Sequence, residues 1–551
     1  MLREPECANV KLNCYMSQDA SNRFPRRDFL RNVTAGAIGF KPLASGLAGL
    51  MATESILAAD VISARSETGR RNSGDLGNGT YKNPVIMAGD IADLSIVREG
   101  QDYYLIHGYY CAPGLLMWHS RDLVNWEPFK KCQARGGGGG DIARFGDRYA
   151  LLGDGHGVGI RLAPNVWGPW GETIHLGSGD AWDITHLQGS DGKFYALGGS
   201  PVPYLYEIAP DGKSIVRTQK LGYDGWPYPE EWDTEGFFIE GWNTAFHDGY
   251  YYVLAAQGGT SGPATSHMCV AARSKSPAGP WENSPYNPII HTYTKDEPFW
   301  SKGQGTLIDT PEGEWYILYH AYLKGARNLG RQVCLEPVEW TEDGWFRVPK
   351  NIVPGQPIRK PKGGQAVPHG FKLSDDFRGP ELDLKWGFPA ASAEGRYRFV
   401  KDGMALKACG EGISMAVPMV MPVTHRAFEF MAEMSVPPGV EGGAGIYASS
   451  KASAMISLKN GKVRGQSLIA STRVPLPSAG ERVFFRVVFI DDNVRLFFGP
   501  DGAKWTKLET VFDVSGFHRN VFGGVESVRP GLYACGSGEI TLHGFNLRGL
   551  A

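Results

Sequence analysis

The chain has 551 residues, a net charge of -2 with acid and base nearly balanced, and 73 glycines among abundant aromatics. That length exceeds one ordinary core, so two domains after any leader are expected. The even charge leaves no electrostatic footprint for nucleic acid, and the glycine-rich, aromatic-rich composition with few helical patterns points to an all-β protein.

The first 59 residues read as an export signal rather than fold. Arg26-Arg27-Asp28-Phe29-Leu30 precedes a weakly apolar stretch from Val33 to Ala52, and Ala58-Ala59 supplies small residues for cleavage. That order matches a twin-arginine leader, which places the mature protein in the periplasm or outside the cell. Lys41, Pro42 and several glycines make the stretch a poor spanning helix, and no later segment is apolar enough to span a bilayer. Residues 60–79 are an N-terminal extension. Beyond the leader, six scattered cysteines form no disulfide framework and no CxxC zinc pattern, so buried free thiols are expected.

From about residue 80 a unit recurs: an acidic or polar residue, a short apolar strand, a turn and an aromatic-rich return strand. The copies begin at Asp93, Asp141, Asp183, Glu240 and Gln304, a propeller blade's length apart. Asp191-Gly192, Asp248-Gly249 and Glu312-Gly313 supply hairpin turns. Residues 80–350 are therefore expected to form a five-bladed β-propeller. Residues 351–369, rich in Pro, Gly and Lys, read as a linker. After it, strands alternate, as in Asn493–Phe498, where Val494, Leu496 and Phe498 share one face and Arg495 and Phe497 the other. Residues 370–551 are expected to be a β-sandwich.

In a propeller the first strand of each blade lines the axial channel, so residues that begin those strands converge. Four of the five here are acidic. Like charges gathered at one mouth are costly unless solvated, paired or used. Two carboxylates flanking one bond are what glycosidic cleavage needs: an acid for the leaving oxygen, and a base or nucleophile at carbon. Aromatics that stack on sugars are present at Tyr109, Tyr110 and Trp118 near the first blade, and at Trp226, Tyr228 and Trp232 between the third and fourth. The histidines His156, His186, His247, His267 and His320 lack metal-ligand spacing, and packing or hydrogen bonding is their expected fate.

The ordered motifs resemble the family 43 glycoside hydrolases. The first-blade motif reads Asn83-Pro-Val-Ile-Met-Ala-Gly-Asp-Ile-Ala-Asp93-Leu-Ser; the others are Trp182-Asp183 ahead of Asp191-Gly192, Ile239-Glu240-Gly ahead of Tyr250-Tyr-Tyr252, and Leu329-Gly-Arg331. The segment from Asp375-Asp-Phe377 to Gly531-Leu-Tyr533 resembles the concanavalin-like sandwich that follows many of these propellers. The resemblance implies an inverting, exo-acting enzyme of the β-xylosidase or α-L-arabinofuranosidase kind acting on a plant- or algal-type oligo- or polysaccharide. In that frame Asp93 activates water, Glu240 is the general acid, Asp183 tunes it, and Arg331 contacts substrate or Asp183. Trp118, Trp242, Trp226 and Gln304 are the further substrate-binding candidates. No cofactor is required. The family's axial calcium sits beside a His where this chain has Gln304, and the family's second-blade Trp-Ala-Pro is replaced by Arg135 and a run of glycines. A carbohydrate-binding propeller without catalysis is the alternative reading.

Overall fold

Tight turns set the blades. At Asp248-Gly249 both residues adopt positive φ, 48° and 72°, which suits a two-residue hairpin and sets His247 opposite Tyr250. The computed structural model describes residues 73–550 except 109–114, 133–139, 154–156, 178–180, 390–392, 468–470, 476–480 and 525–526. The leader, Tyr109, Tyr110, Arg135 and His156 lie outside the described residues.

Five antiparallel sheets follow one another in chain order, each with four strands in sequence order. Their innermost strands are Ser95–Glu99, Asp141–Phe145, Thr185–Gln188, Ile239–His247 and Phe299–Asp309. The fourth sheet adds a short fifth strand, Ile290–His291. This is the five-bladed propeller. Adjacent blades share cores: Tyr104, Ile106 and Met117 of blade 1 pack with Ile142, Tyr149 and Leu151 of blade 2.

The chain ahead of blade 1 closes the ring. Val85 N–H donates to the Val333 carbonyl and Val333 N–H returns to Ile86. Asn83 accepts from Leu335 N–H at 2.8 Å and donates to the Leu335 carbonyl at 3.0 Å. Residues 83–86 thus add to the strand Arg331–Trp340 of blade 5. That pairing carries residues 90–93 to the axis beside Arg331.

Segment 351–369 is pinned along its length. Ile358–Arg359 pairs with Thr80–Tyr81. Lys360 bridges Asp75 at 2.7 Å and Asp122 at 2.9 Å. Two sheets follow, of eight and six strands, and form the sandwich. Val494, Leu496 and Phe498 point into its core with Phe428, Phe430 and Phe485, while Arg495 and Phe497 are half-exposed. The sandwich docks on the propeller: Met87, Ala326 and Leu329 join its core, and Val420 and Tyr447 join the core of blade 1. Burial of such apolar surface is the main force holding the two together. The five described cysteines are free thiols, four of them buried and Cys409 half-buried.

Candidate active site

The acidic residues do not share one backbone position. Asp141 begins its strand, whereas Asp93 and Asp183 lie two residues ahead of theirs. Both are left-handed, with φ of 55° and 51°. Asp tolerates that region better than most side chains, and such conformations concentrate at functional sites. Glu240 is the second residue of its strand, and the pairing shifts register between it and Asn243. Gly241 supplies the bend at φ 60°, and a Cβ there would come within 2.9 Å of Gln304 Cγ and Ala256 Cβ. A bulge of this kind re-aims a side chain.

The bend binds two acids together. Gly241 N–H donates to Asp183 Oδ2 at 2.8 Å. Asp93, Asp141, Asp183, Trp242, Asn243 and Gln304 border an axial cavity of about 10 Å³, room for roughly one water. Gln304, itself left-handed at φ 53°, accepts from Asp93 N–H at 2.9 Å through Oε1.

Burial, then the charges of Asp93 and Glu240, push the Asp183 carboxyl well above the ordinary carboxylate range. Burial and the Asp93 charge likewise raise Glu240, against the opposing cations Arg519 and Arg331. Glu240 accepts no side-chain hydrogen bond from any described residue. A half-buried carboxyl that is pushed toward its protonated form and left without a partner is equipped to give a proton away.

Asp141, the remaining acidic strand start, has a different fate. It accepts from Ser95 Oγ at 2.6 Å, from His186 N–H at 2.8 Å and from His186 Nδ1 at 2.7 Å. Burial opposes its charge, but the His186 cation and these bonds outweigh burial and hold it below the usual range. It is a buried tie among blades 1, 2 and 3.

Arg331 faces a partner absent from the sequence reading. Its Nε and Nη2 clasp Asp90 at 2.9 and 2.8 Å, and its N–H also donates to Asp90 Oδ1 at 2.8 Å. Gly330 permits this approach: a Cβ there would lie 2.6 Å from Asp90 Cα. The guanidinium still acts electrostatically on Asp183 and Glu240. Asp90 stands three residues ahead of Asp93 in the same motif, which was the only local signal for it.

Three tryptophans separate. Trp118 is 1 % exposed, donates to His107 Nε2 at 2.9 Å and stacks edge-on against Phe371, so it is core and not a sugar platform. Trp242 is 2 % exposed; the residue borders the axial cavity, and its Nε1 is committed to the Gly199 carbonyl at 2.9 Å. Trp226 lies at the surface with Tyr228, Trp232 and Phe237 around a cleft of about 660 Å³. Its N–H donates to Gln257, whose backbone pairs with Ile239, so the cleft borders the strand that carries Glu240. Trp182, beside Asp183, is 55 % exposed and was not singled out as a ligand.

Four of the oxygens around the axial cavity are already engaged by the protein: both Asp141 oxygens, Asp183 Oδ2 and Gln304 Oε1 accept protein hydrogen bonds. Among the described residues no three His, Cys, Asp or Glu side chains gather as metal ligands. His267 and His320 stack at 5.2 Å; burial, then Arg331, lowers both, His267 to about 3.

Residues 81–346 match the family described as Glycosyl hydrolases family 43. A non-reducing end α-L-arabinofuranosidase of Bacteroides ovatus is 28% identical over 510 residues, covering 84% of this chain and 92% of that protein. A xylosidase/arabinosidase of Butyrivibrio fibrisolvens is 30% identical over 297 residues, 48% of this chain and 55% of that one. Among solved structures, a Bacteroides ovatus protein titled Xyloglucan PUL GH43B superposes with a TM-score of 0.76 at 24% identity, covering 86% of this chain and 100% of that one. A xylan β-1,4-xylosidase from Bacillus halodurans gives 0.74 at 22%, covering 85% and 99%. Those two likenesses speak to the fold. The family match and the sequence relatives make this chain a family 43-like glycoside hydrolase, and its fold is a five-bladed propeller followed by a β-sandwich.

Proposed function

We propose that the enzyme removes a xylosyl or arabinofuranosyl unit from the non-reducing end of an oligosaccharide, with inversion at the anomeric carbon. The observation that carries this reading is Glu240: a raised carboxyl without a hydrogen-bond partner among the described residues, set beside Asp93 and Asp183. Glu240 gives its proton to the glycosidic oxygen as the bond from that oxygen to the anomeric carbon breaks. Asp93 takes a proton from a water whose oxygen attacks the same carbon from the opposite face. The two carboxyls end the cycle with protonation states exchanged, and solvent resets them. Asp183, tied to the Glu240 strand through Gly241, fixes the acid's position. Arg331, oriented by Asp90, offsets part of the negative charge.

The printed activities of the relatives support the choice of pentosyl unit, and the exposed Trp226 cleft offers ring faces for a longer chain. No step uses a metal. A panel of 4-nitrophenyl glycosides, followed by proton NMR of the first sugar released, tests the reading. Turnover of a xyloside or arabinofuranoside with the opposite anomer appearing first is the expected result. A propeller that only binds carbohydrate would leave the whole panel intact. We propose too that Arg26-Arg27 directs export; N-terminal sequencing of the native protein should start near residue 60, and an intact leader on cytoplasmic protein would refute it.

A further inference from the structure

A long connection between blades 3 and 4 leads straight into the acid. The strand Ile215–Lys220 ends blade 3 and Ile239–His247 opens blade 4. Residues 222–238 between them hold six aromatic residues and five carboxylates, with no Lys, Arg or His. Blade 4 grips this segment at several points. Gln257 takes the Trp226 backbone from both sides, its Oε1 accepting the N–H at 2.9 Å and its Nε2 donating to the carbonyl at 3.3 Å. Glu235 N–H donates to Ser266 Oγ at 2.8 Å, and Glu235 Oε2 accepts from Ser261 N–H at 2.6 Å. Tyr223 donates its hydroxyl to Asn283 Oδ1 at 2.9 Å, and Asn283 Nδ2 returns to the Gly225 carbonyl at 3.3 Å. A segment fixed in this way has little freedom left to lose on binding.

The fixed segment shapes the surface cleft of about 660 Å³, a volume that suits a ligand. Its rings are braced from the protein side. Trp232 lies flat on buried His291, centroids 4.5 Å apart and 3° from parallel, and meets Trp226 edge-on at 5.9 Å. His291 is itself held through Nε2 by the Thr265 carbonyl at 2.8 Å. Phe237 stacks on Tyr228 at 5.7 Å and is still 65 % exposed. Phe237 precedes Glu240 by three positions, which limits their Cα separation to at most about 11 Å. Gln257, the residue that holds Trp226, pairs with Ile239 next to the acid. The cleft therefore opens beside Glu240. Its charged lining has one sign: Asp224 and Glu230 border it, both exposed, and neither accepts a hydrogen bond from a described residue.

We propose that this cleft binds the part of the substrate that departs, and that it selects an uncharged glycan over one bearing uronate or sulfate groups. The acid protonates the oxygen that leaves with that chain, so a cleft opening beside Glu240 lies in the chain's path. Aromatic faces receive the C–H faces of successive sugars, and the two free carboxylates accept from sugar hydroxyls. An anionic side group in the same place meets like charge with no lining cation to offset it. The proposal rests on the glycosidase reading with Glu240 as the acid.

The test compares wild type, Phe237→Ala, Phe237→Tyr, Trp232→Ala and the double variant Asp224→Asn/Glu230→Gln in the full-length protein. Three substrates are used: a 4-nitrophenyl pentoside, the tetrasaccharide of the same pentose, and that tetrasaccharide carrying one glucuronosyl group near its reducing end. Phe237→Ala and Trp232→Ala should each lose about tenfold more kcat/KM on the neutral tetrasaccharide than on the aryl pentoside, mostly through KM. Phe237→Tyr keeps the ring and should restore most of the loss. Phe237 is exposed, so its variants serve even if Trp232→Ala lowers the melting temperature. Wild type should prefer the neutral tetrasaccharide to the glucuronosyl form by about tenfold at low salt. That preference should shrink at about 0.5 M sodium chloride and in the double variant. Equal losses on the aryl and neutral substrates would overturn the role of the cleft, and a preference indifferent to salt and to the two acids would overturn the selection. Weaker tetrasaccharide binding by Phe237→Ala in isothermal titration, with hydrolysis untouched, would make the cleft a separate glycan site and equally overturn the proposal. If wild type cleaved nothing, the glycosidase reading would fail by itself. Titration of xylotetraose into wild type and Phe237→Ala would still judge the cleft: about tenfold weaker binding in the variant would support it as a glycan site, and equal affinities would sink it.

Discussion

Asp141 and Asp183 begin neighbouring blades, border the same axial cavity and feel the same pressure against a buried charge. They answer it in opposite directions. Asp141 collects three hydrogen bonds and the His186 cation, and stays ionised to lower pH than an ordinary Asp. Asp183 receives one backbone N–H and faces two other carboxylates, which drive it upward. A carboxylate that the fold satisfies holds blades together. One that the fold leaves under-satisfied keeps free energy available for chemistry. Their place as acidic blade starters in the sequence does not distinguish them; their backbone placement and their partners do, and those partners lie 45 and 58 residues away in sequence.

The largest expected effect comes from the acid itself. Glu240→Gln keeps the shape but has no proton to give, so substrates with poor leaving groups should slow by about 10²–10⁴. A dinitrophenyl glycoside needs little protonation and should partly escape. Asp93→Asn removes the base instead, and its loss should persist whatever the leaving group. Pre-steady-state and steady-state rates on both substrate classes decide this. If Glu240→Gln slowed both equally, the acid would have to be sought elsewhere, and Asp141 is not a candidate: its oxygens are occupied and its proton is lost early.

Asp141→Asn should show the reverse profile, with stability falling and the turnover of folded enzyme close to wild type. An Asn amide can accept one of the present bonds but turns an N–H toward His186, so a loss of about 1–3 kcal/mol is expected at pH 7. The sign with pH follows from the lowered folded value. Asp141 contributes stability above its unfolded value of 3.8, and that contribution is lost as pH falls through the folded one. The gap between wild type and variant in urea midpoints should therefore narrow in acid. A variant that kept its midpoint and lost turnover would place Asp141 in the chemistry and dissolve the contrast.

The blades were legible because their signals are local: Asp-Gly turns, alternating first strands and aromatic second strands recur in register. The sandwich strands were legible for the same reason, down to the inward face of Val494, Leu496 and Phe498. Partner choice was not. A tryptophan in a strand looks alike whether it meets Phe371 and His107, as Trp118 does, or a sugar. Asp90 gave no sign of its role because Arg331 is 241 residues away and reaches it only through ring closure.

The smallest effect is also the least intuitive: Asp183→Asn should make the protein more stable while disabling it. Burial and the charges of Asp93 and Glu240 raise the Asp183 carboxyl in the folded state. Between its unfolded value of 3.8 and that raised value, the folded protein holds a proton that the unfolded chain has released. Stability contributed by this group is therefore full below 3.8 and declines as pH rises through that window. An asparagine never ionises, keeps an oxygen for the Gly241 N–H, and so avoids the penalty. A gain of about 1 kcal/mol is expected at neutral pH, shrinking toward zero as pH approaches 3.8. Turnover should fall because the asparagine leaves the three-acid cluster without the proton that Asp183 shares with it, while the basic limb of the pH profile, set by burial, Asp93 and the arginines around Glu240, should stay near its place. Differential scanning calorimetry at pH 4 and pH 7, run beside the pH profile, reads both arms. Lower stability at pH 7 would mean that Asp183 is satisfied much as Asp141 is, and the division between the two carboxylates would have to be abandoned.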